Sequence, residues 1–209
     1  MNSIQKIAIT LFLLCIAVNV NFAQNVWTPE MLEKANTGKN VDYLTAEEKS
    51  VIFYCNLVRM NPVLFANTYA KKYIDSIKSN SSYAKSLIKT LNKTESLGVL
   101  YPSSKLYVIA KAHAIDCGNK GKVGHGNFKK RFEKYGADCN CEVGENCDYG
   151  FNKGLDIVMH LLIDEKVSNL AHRKNILEPK YKNSGVSIIK HKKYSWNCVI
   201  DYSSAVKPD

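Results

Sequence analysis

The sequence predicts an α+β layered domain, and three observations predict it. Two segments, residues 45–58 and 103–117, carry apolar residues at helical spacing behind clear start signals. Residues 184–190 and 194–202 read as two strands joined by a short turn at Lys192-Lys193. Helices come first and strands last, without the regular alternation of a doubly wound fold.

The chain opens with a targeting segment, residues 1–24. Lys6 supplies a positive start, residues 7–20 are apolar apart from Thr10, Cys15 and Asn19, and Ala23 offers a small residue for cleavage. The apolar run is short for a membrane span, so cleavage is expected rather than retention as an anchor, and no stable span is expected afterwards. Residues 25–44 are polar and irregular, with Thr28-Pro29-Glu30 marking a short helix start, and read as an N-terminal arm. The main domain is expected over residues 45–203, with a short tail at 204–209.

Thr45 and Glu48 form a capping box, and Val51, Ile52, Cys55 and Val58 follow on one helical face. Asn61-Pro62 interrupts this helix, and a second segment, either a new helix or the bent continuation of the first, runs on through Val63, Phe65, Ala66, Tyr69 and Tyr73, because Asn caps well and Pro suits the first helical position. Residues 76–94 are polar and read as a surface helix–loop excursion. Ser103 or Ser104 then caps a helix whose buried face is Leu106, Ile109, Ala110, His113, Ala114 and Cys117. His113 lies on that apolar side and reads as a hydrogen-bonded core residue. Gly118 and Gly121 end the helix.

Gly124-His125-Gly126 places a histidine in a loop whose glycines permit close approach to another segment. Residues 128–135 form a short basic helix, followed by a cysteine-rich loop and then Gly144-Glu145-Asn146. Residues 154–164 form a helix burying Leu155, Val158, Met159 and Leu162, with His160 facing solvent. In residues 163–181, Ile176-Leu177 anchor an otherwise polar stretch and Pro179 stops it, an arrangement suited to holding His172 in place.

The formal charge of +10 comes from basic residues scattered singly or in small groups, without the stripe and motif of a nucleic-acid module; no nucleic-acid partner is expected. General affinity for anionic envelope surfaces fits this charge. Of seven cysteines, Cys15 falls in the leader. The other six, Cys55, Cys117, Cys139, Cys141, Cys147 and Cys198, form an even set that reads as disulfides in an exported protein, with a local bridge among Cys139, Cys141 and Cys147. The spacing of these last three is not a standard zinc pattern, and an oxidising compartment disfavours free thiolates.

Taken in order, six motifs resemble the CAP superfamily (the SCP-like, or cysteine-rich secretory, antigen 5 and pathogenesis-related, domain), in its bacterial secreted branch. They are Leu57-Val58-Arg59-Met60-Asn61-Pro62, Leu106 with Ala110-Lys111-Ala112-His113-Ala114, Gly124-His125, Gly144-Glu145-Asn146, residues 170–177, and Gly185-Val186. The resemblance runs from about Thr45 to Tyr202 and implies a three-layer α-β-α sandwich with a central groove. It implies that two histidines and two acidic residues line that groove: His125, His172, Glu145 and, where the family has a glutamate after a tryptophan, Asp164 or Glu165. Asp164 is favoured, although no tryptophan stands before it. Ala171 replaces the usual glycine before the second histidine. Many family members bind zinc or a similar ion there.

On chemistry alone, His125 and His172 with a carboxylate make an incomplete tetrahedral set for Zn2+, with Asn146 beside it, leaving positions for exchange. The residues alternatively close a polar core. The leading functional expectation is an exported, non-catalytic, monomeric binding module. The resemblance implies a lipid- or sterol-like ligand, or a protein partner. The alternative is a hydrolase, most plausibly a peptidase, with Glu145 as general base on a bound water and His172 orienting it. Neither His-Glu-x-x-His nor Gly-x-Ser-x-Gly occurs to support it. A third reading is a disulfide-stapled interaction protein with a vestigial groove.

Overall fold

The computed structural model of the protein describes residues 26–136 and 141–205. The 1–24 leader, Cys139 and residues 206–209 lie outside them.

Local capping sets the helical half. Helix α1 (Pro29–Ala35) starts on Thr28, whose hydroxyl accepts from the Met31 N–H at 3.3 Å. Helix α2 (Ala46–Met60) starts on the Thr45–Glu48 box, with bonds of 2.8 and 3.3 Å running both ways. Glu48 is buried and has a second role: its Oε1 accepts the Ile188 N–H at 2.9 Å, which ties the start of α2 to the sheet. Asn61 ends α2 and caps α3 (Pro62–Phe65), which continues through a π-helical turn (Ala66–Ala70) into α4 (Lys71–Ser76). The arm is packed rather than loose, since Asn56 donates to Ala35 O at 2.9 Å and the Trp27 indole donates to Thr68 at 3.1 Å.

The 76–94 excursion contains a helix, as expected, but is not confined to the surface. Helix α5 (Ser82–Leu91) occupies its centre and buries Ala84, Leu87 and Leu91. Each leucine so buried contributes on the order of 2 kcal/mol. The three–four spacing is present in the sequence, but the surrounding serines, lysines and asparagines obscure it.

The sheet has four strands in the order β1-β3-β4-β2. Strand β1 (Tyr101–Pro102) runs parallel to β3 (Asn183–His191), while β4 (Ser195–Ser203) pairs antiparallel with both β3 and β2 (Val143–Tyr149). Between β1 and β2 run α6 (Ser104–Lys120), capped by Ser103, and α7 (Phe128–Gly136). Between β2 and β3 run α8 (Gly154–Ile163) and α9 (Ala171–Ile176).

Side-chain alternation along β4 divides the core into two layers. Cys198, Ile200 and Tyr202 face the layer of α2 and α8, among Val51, Ile52, Val58, Met159 and Leu162. Val199 faces α6, with Ala110, Ala114 and Cys147. Helix α6 lies directly on the sheet: a Cβ added at Gly185 would come within 2.1 Å of the Tyr107 nitrogen. Helices therefore cover both faces, giving an α-β-α sandwich that ends in an antiparallel hairpin. Among the described residues, no helix is long and apolar enough to cross a membrane.

Two buried arginines staple the loops. Arg59 donates to the carbonyls of Gly98, Ile176, Glu178 and Tyr181 at 2.8–3.0 Å. Arg173 donates to the carbonyls of Leu162 (2.6 Å), Ile163 (2.9 Å) and Tyr83 (3.1 Å) and to Ser86 Oγ (3.0 Å). Sequence reasoning placed neither inside, because arginine enters a core only when its donors find partners.

The expected disulfide framework is corrected at four of its six cysteines. Cys55, Cys117, Cys147 and Cys198 are free and buried. They behave as small apolar residues of the two core layers. Cys141 is disulfide-bonded.

Candidate functional site

Strand β2 organises the site because it is an edge strand whose neighbouring residues point to opposite faces. Glu145 and Cys147 face α6 and the 124–126 loop. Asn146 and Asp148 face α8 and α9.

On the first face, Glu145 is buried, and its Oε1 lies 2.9 Å from His125 Nδ1 and 3.8 Å from His113 Nε2. Arg131 donates to Glu145 Oε2 and also to the His125 carbonyl at 2.7 Å, so it clamps the glycine-flanked loop onto the carboxylate. The His125 side chain remains 52% exposed while that of Glu145 is 1% exposed. Burial raises the Glu145 carboxyl, but the bond to His125 and the positive potentials of His113 and Arg131 outweigh it and hold the group below its ordinary range. Opposite Glu145 on β4 stands Asp201, fully buried, with no hydrogen-bond donor to either oxygen. Burial and the adjacent Glu145 charge push Asp201 well above its ordinary value, so it is held as a neutral acid that can donate to Glu145. Burial also lowers His113, whose Nε2 sits 2.9 Å from the Gly124 carbonyl.

On the second face, His172 Nδ1 meets Asp164 Oδ1 at 2.7 Å. Asp164 Oδ2 accepts the backbone N–H of His172 (3.0 Å) and Arg173 (3.2 Å). One buried carboxylate thus caps α9 and orients the imidazole on its first turn. Asp164 also ends α8 in the left-handed region, at φ 58°, which turns its side chain back to α9. Glu165 is exposed. Asn146 joins the faces: it donates to His172 O at 3.0 Å and accepts from Asn175 at 2.8 Å, while Asn175 also donates to Glu145 O at 3.1 Å.

A third pair escaped the sequence reading. His160 is half-exposed, as expected, but its Nδ1 lies 2.5 Å from Oδ1 of the buried Asp148. The bond to Asp148 raises His160 above its ordinary value. Its only sequence signal was Asp148 two residues beyond Asn146, on the same strand face. Arg131 had no sequence signal apart from its basic neighbours. The signal for Asp201 was an acid within the apolar run of residues 198–202.

The structure therefore brings His125 to Glu145 and His172 to Asp164, and links the two pairs through Asn146 and Asn175. Both histidines engage their carboxylates through Nδ1, leaving Nε2 available to an outside group.

The family model for CAP, the cysteine-rich secretory protein family, matches residues 66–202. Among solved structures, an extracellular SCP-domain protein from Bacillus anthracis aligns at 14% identity and TM-score 0.48, over 85% of this chain and 44% of that one. An outer surface protein of Borrelia burgdorferi aligns at 20% identity and TM-score 0.42, over 68% and 95% of the two chains. A cysteine-rich secretory protein from Staphylococcus aureus aligns at 15% identity and TM-score 0.40, over 59% and 38%. This chain thus spans less than half the length of the Bacillus protein. No curated protein matches.

Proposed function

Because the chain belongs to the cysteine-rich secretory protein (CAP) family, we propose that it is an extracytoplasmic binding module whose polar groove lies along the edge strand β2. The observation that carries this reading is the pairing of His125 and His172, each through Nδ1, with a buried carboxylate. Histidines that ligate a metal are held in this way, with the carboxylate fixing the tautomer and leaving Nε2 free. His125 and His172 would supply Nε2 to a divalent cation such as Zn2+. The ion would in turn polarise an oxygen of a bound ligand. Family membership supports an envelope-derived, lipid-like ligand or a protein partner.

The hydrolase reading is weaker on electrostatic grounds. A general base works best with a pKa near the operating pH. Glu145 is instead held below the ordinary carboxylate range and clamped by Arg131.

The test compares metal content and melting temperature of the wild type with those of the His125→Ala/His172→Ala double variant. A zinc equivalent present in the wild type and missing from the variant, together with some loss of stability, is the expected result. Equal metal content and equal melting in both proteins would refute a groove site.

A further inference from the structure

One cluster is left over by the groove reading: His113, Glu145 and Cys147 are all buried, and one ligand atom from each lies within 4.8 Å of the others. His113 projects from α6 and the other two from the same face of β2, so three donors of different chemistry converge under the 124–126 loop. Glu145 Oε1 is 3.8 Å from His113 Nε2 and 3.7 Å from Cys147 Sγ. His125 Nδ1 stands above them, 2.9 Å from Glu145 Oε1 and 3.9 Å from Cys147 Sγ.

A tetrahedral zinc ion with bonds of about 2.0–2.3 Å has ligand–ligand edges of roughly 3.3–3.8 Å. Three of the four separations just given, 3.7, 3.8 and 3.9 Å, fall on or beside that range. Arg131 holds Glu145 by Oε2, so Oε1 is the oxygen left facing the cluster. Cys117 Sγ lies 3.8 Å from His113 Nδ1 and could accept the ring proton if Nε2 became a ligand. That Nε2 faces the Gly124 carbonyl, which Cys147 Sγ also approaches at 3.8 Å. Gly124 (φ 90°) and Gly126 (φ 47°) give this loop backbone freedom to yield.

We propose that His113 Nε2, Glu145 Oε1 and Cys147 Sγ form an inner binding site for one divalent cation of the zinc type, with His125 Nδ1 or a water as the fourth ligand. Binding releases the Cys147 thiol proton to solvent and moves the His113 ring proton to Nδ1. The thiolate separates this site from the groove reading, which uses only imidazole and oxygen donors and requires His172. The inner site stands or falls without His172. It also gives a reason for an unpaired cysteine to persist in an exported chain, since a metal-bound thiolate resists oxidation to a disulfide.

The experiment is cobalt titration of the purified, chelator-stripped protein in a reducing buffer, followed by X-ray absorption on the zinc-loaded wild type. The expected result is a tetrahedral Co2+ spectrum with a thiolate-to-cobalt charge-transfer band that saturates at one equivalent of thiolate-bound metal, whatever further metal the groove takes up. Cys147→Ser should abolish that band with the far-ultraviolet circular dichroism unchanged. His113→Gln should weaken the binding that this band reports by about tenfold or more. The absorption measurement needs no variant and should show one sulfur at about 2.3 Å. A metal shell without sulfur would overturn the proposal. So would a charge-transfer band that survives Cys147→Ser, a band titration left unchanged by His113→Gln, or a Cys117–Cys147 disulfide in protein isolated without reductant.

Discussion

Replacing Asp164 tests whether one carboxylate orients His172 and starts α9. Asp164 accepts three hydrogen bonds, from His172 Nδ1 at 2.7 Å and from the backbone N–H groups of His172 and Arg173 at 3.0 and 3.2 Å. Hydrogen bonds to a charged group contribute roughly 1.5–3 kcal/mol each. The first turn of α9 is partly exposed, so water recovers part of that loss. Truncation of the side chain should therefore cost about 3–4 kcal/mol, near the cost of breaking a buried pair. The backbone adds a separable contribution, because Asp164 sits at φ 58°. Alanine is strained there by about 1–2 kcal/mol, glycine is not, and asparagine tolerates the conformation. The expected order of stability is wild type, Asp164→Asn, Asp164→Gly, Asp164→Ala, with the last two separated by about 1 kcal/mol once the greater unfolded-state freedom of glycine is counted. Urea unfolding followed by circular dichroism measures all four. For a domain of this size the alanine variant should melt on the order of 10 °C lower. An alanine variant within about 0.5 kcal/mol of the wild type would show that Asp164 neither caps α9 nor holds His172. Alanine more stable than glycine would refute the backbone argument.

Three further outcomes follow from the same geometry. Arg59→Met keeps the packing volume but strips the donors from four carbonyls, and should destabilise the fold by about 3–5 kcal/mol in chemical denaturation; a neutral result would mean that water replaces the guanidinium. His160 is raised above its ordinary value by Asp148, so its contribution to stability is full below the unfolded histidine pKa and is lost as pH rises through the higher folded value. Against the wild type, His160→Asn should lose stability at mildly acidic pH and converge with it at alkaline pH, which melting curves across pH would show. Burial pushes the Cys55 thiol up to about 12 and Cys198 well above its ordinary value, so both should resist iodoacetamide in the folded protein and label fully once it is unfolded. Mass-spectrometric mapping that finds either one alkylated at native speed would contradict the core packing.

Much of the framework can be read from local sequence, because capping and alternation act over a few residues. The Thr45–Glu48 box, the Asn61-Pro62 restart, the Ser103 cap and the hairpin of β3 and β4 all carry their cause within one helical turn or one strand period. So does the order of the histidine and acidic motifs that resembles the family. Tertiary structure decided the rest. Strand β2 has the polar sequence of a loop and becomes a strand only because β4 offers it a full ladder of hydrogen bonds. Leu87 and Leu91 matter only once a core exists for α5 to cover. Arg59 and Arg173 lie inside because loop carbonyls distant in sequence converge on their donors. The partners of each histidine follow from the face of β2 or the end of α8 that meets it. The cysteines make the same point from the other side: their even number invites pairing, but four of them are packed as single buried thiols, because a disulfide requires two sulfurs brought together in the right geometry and the count carries no such information.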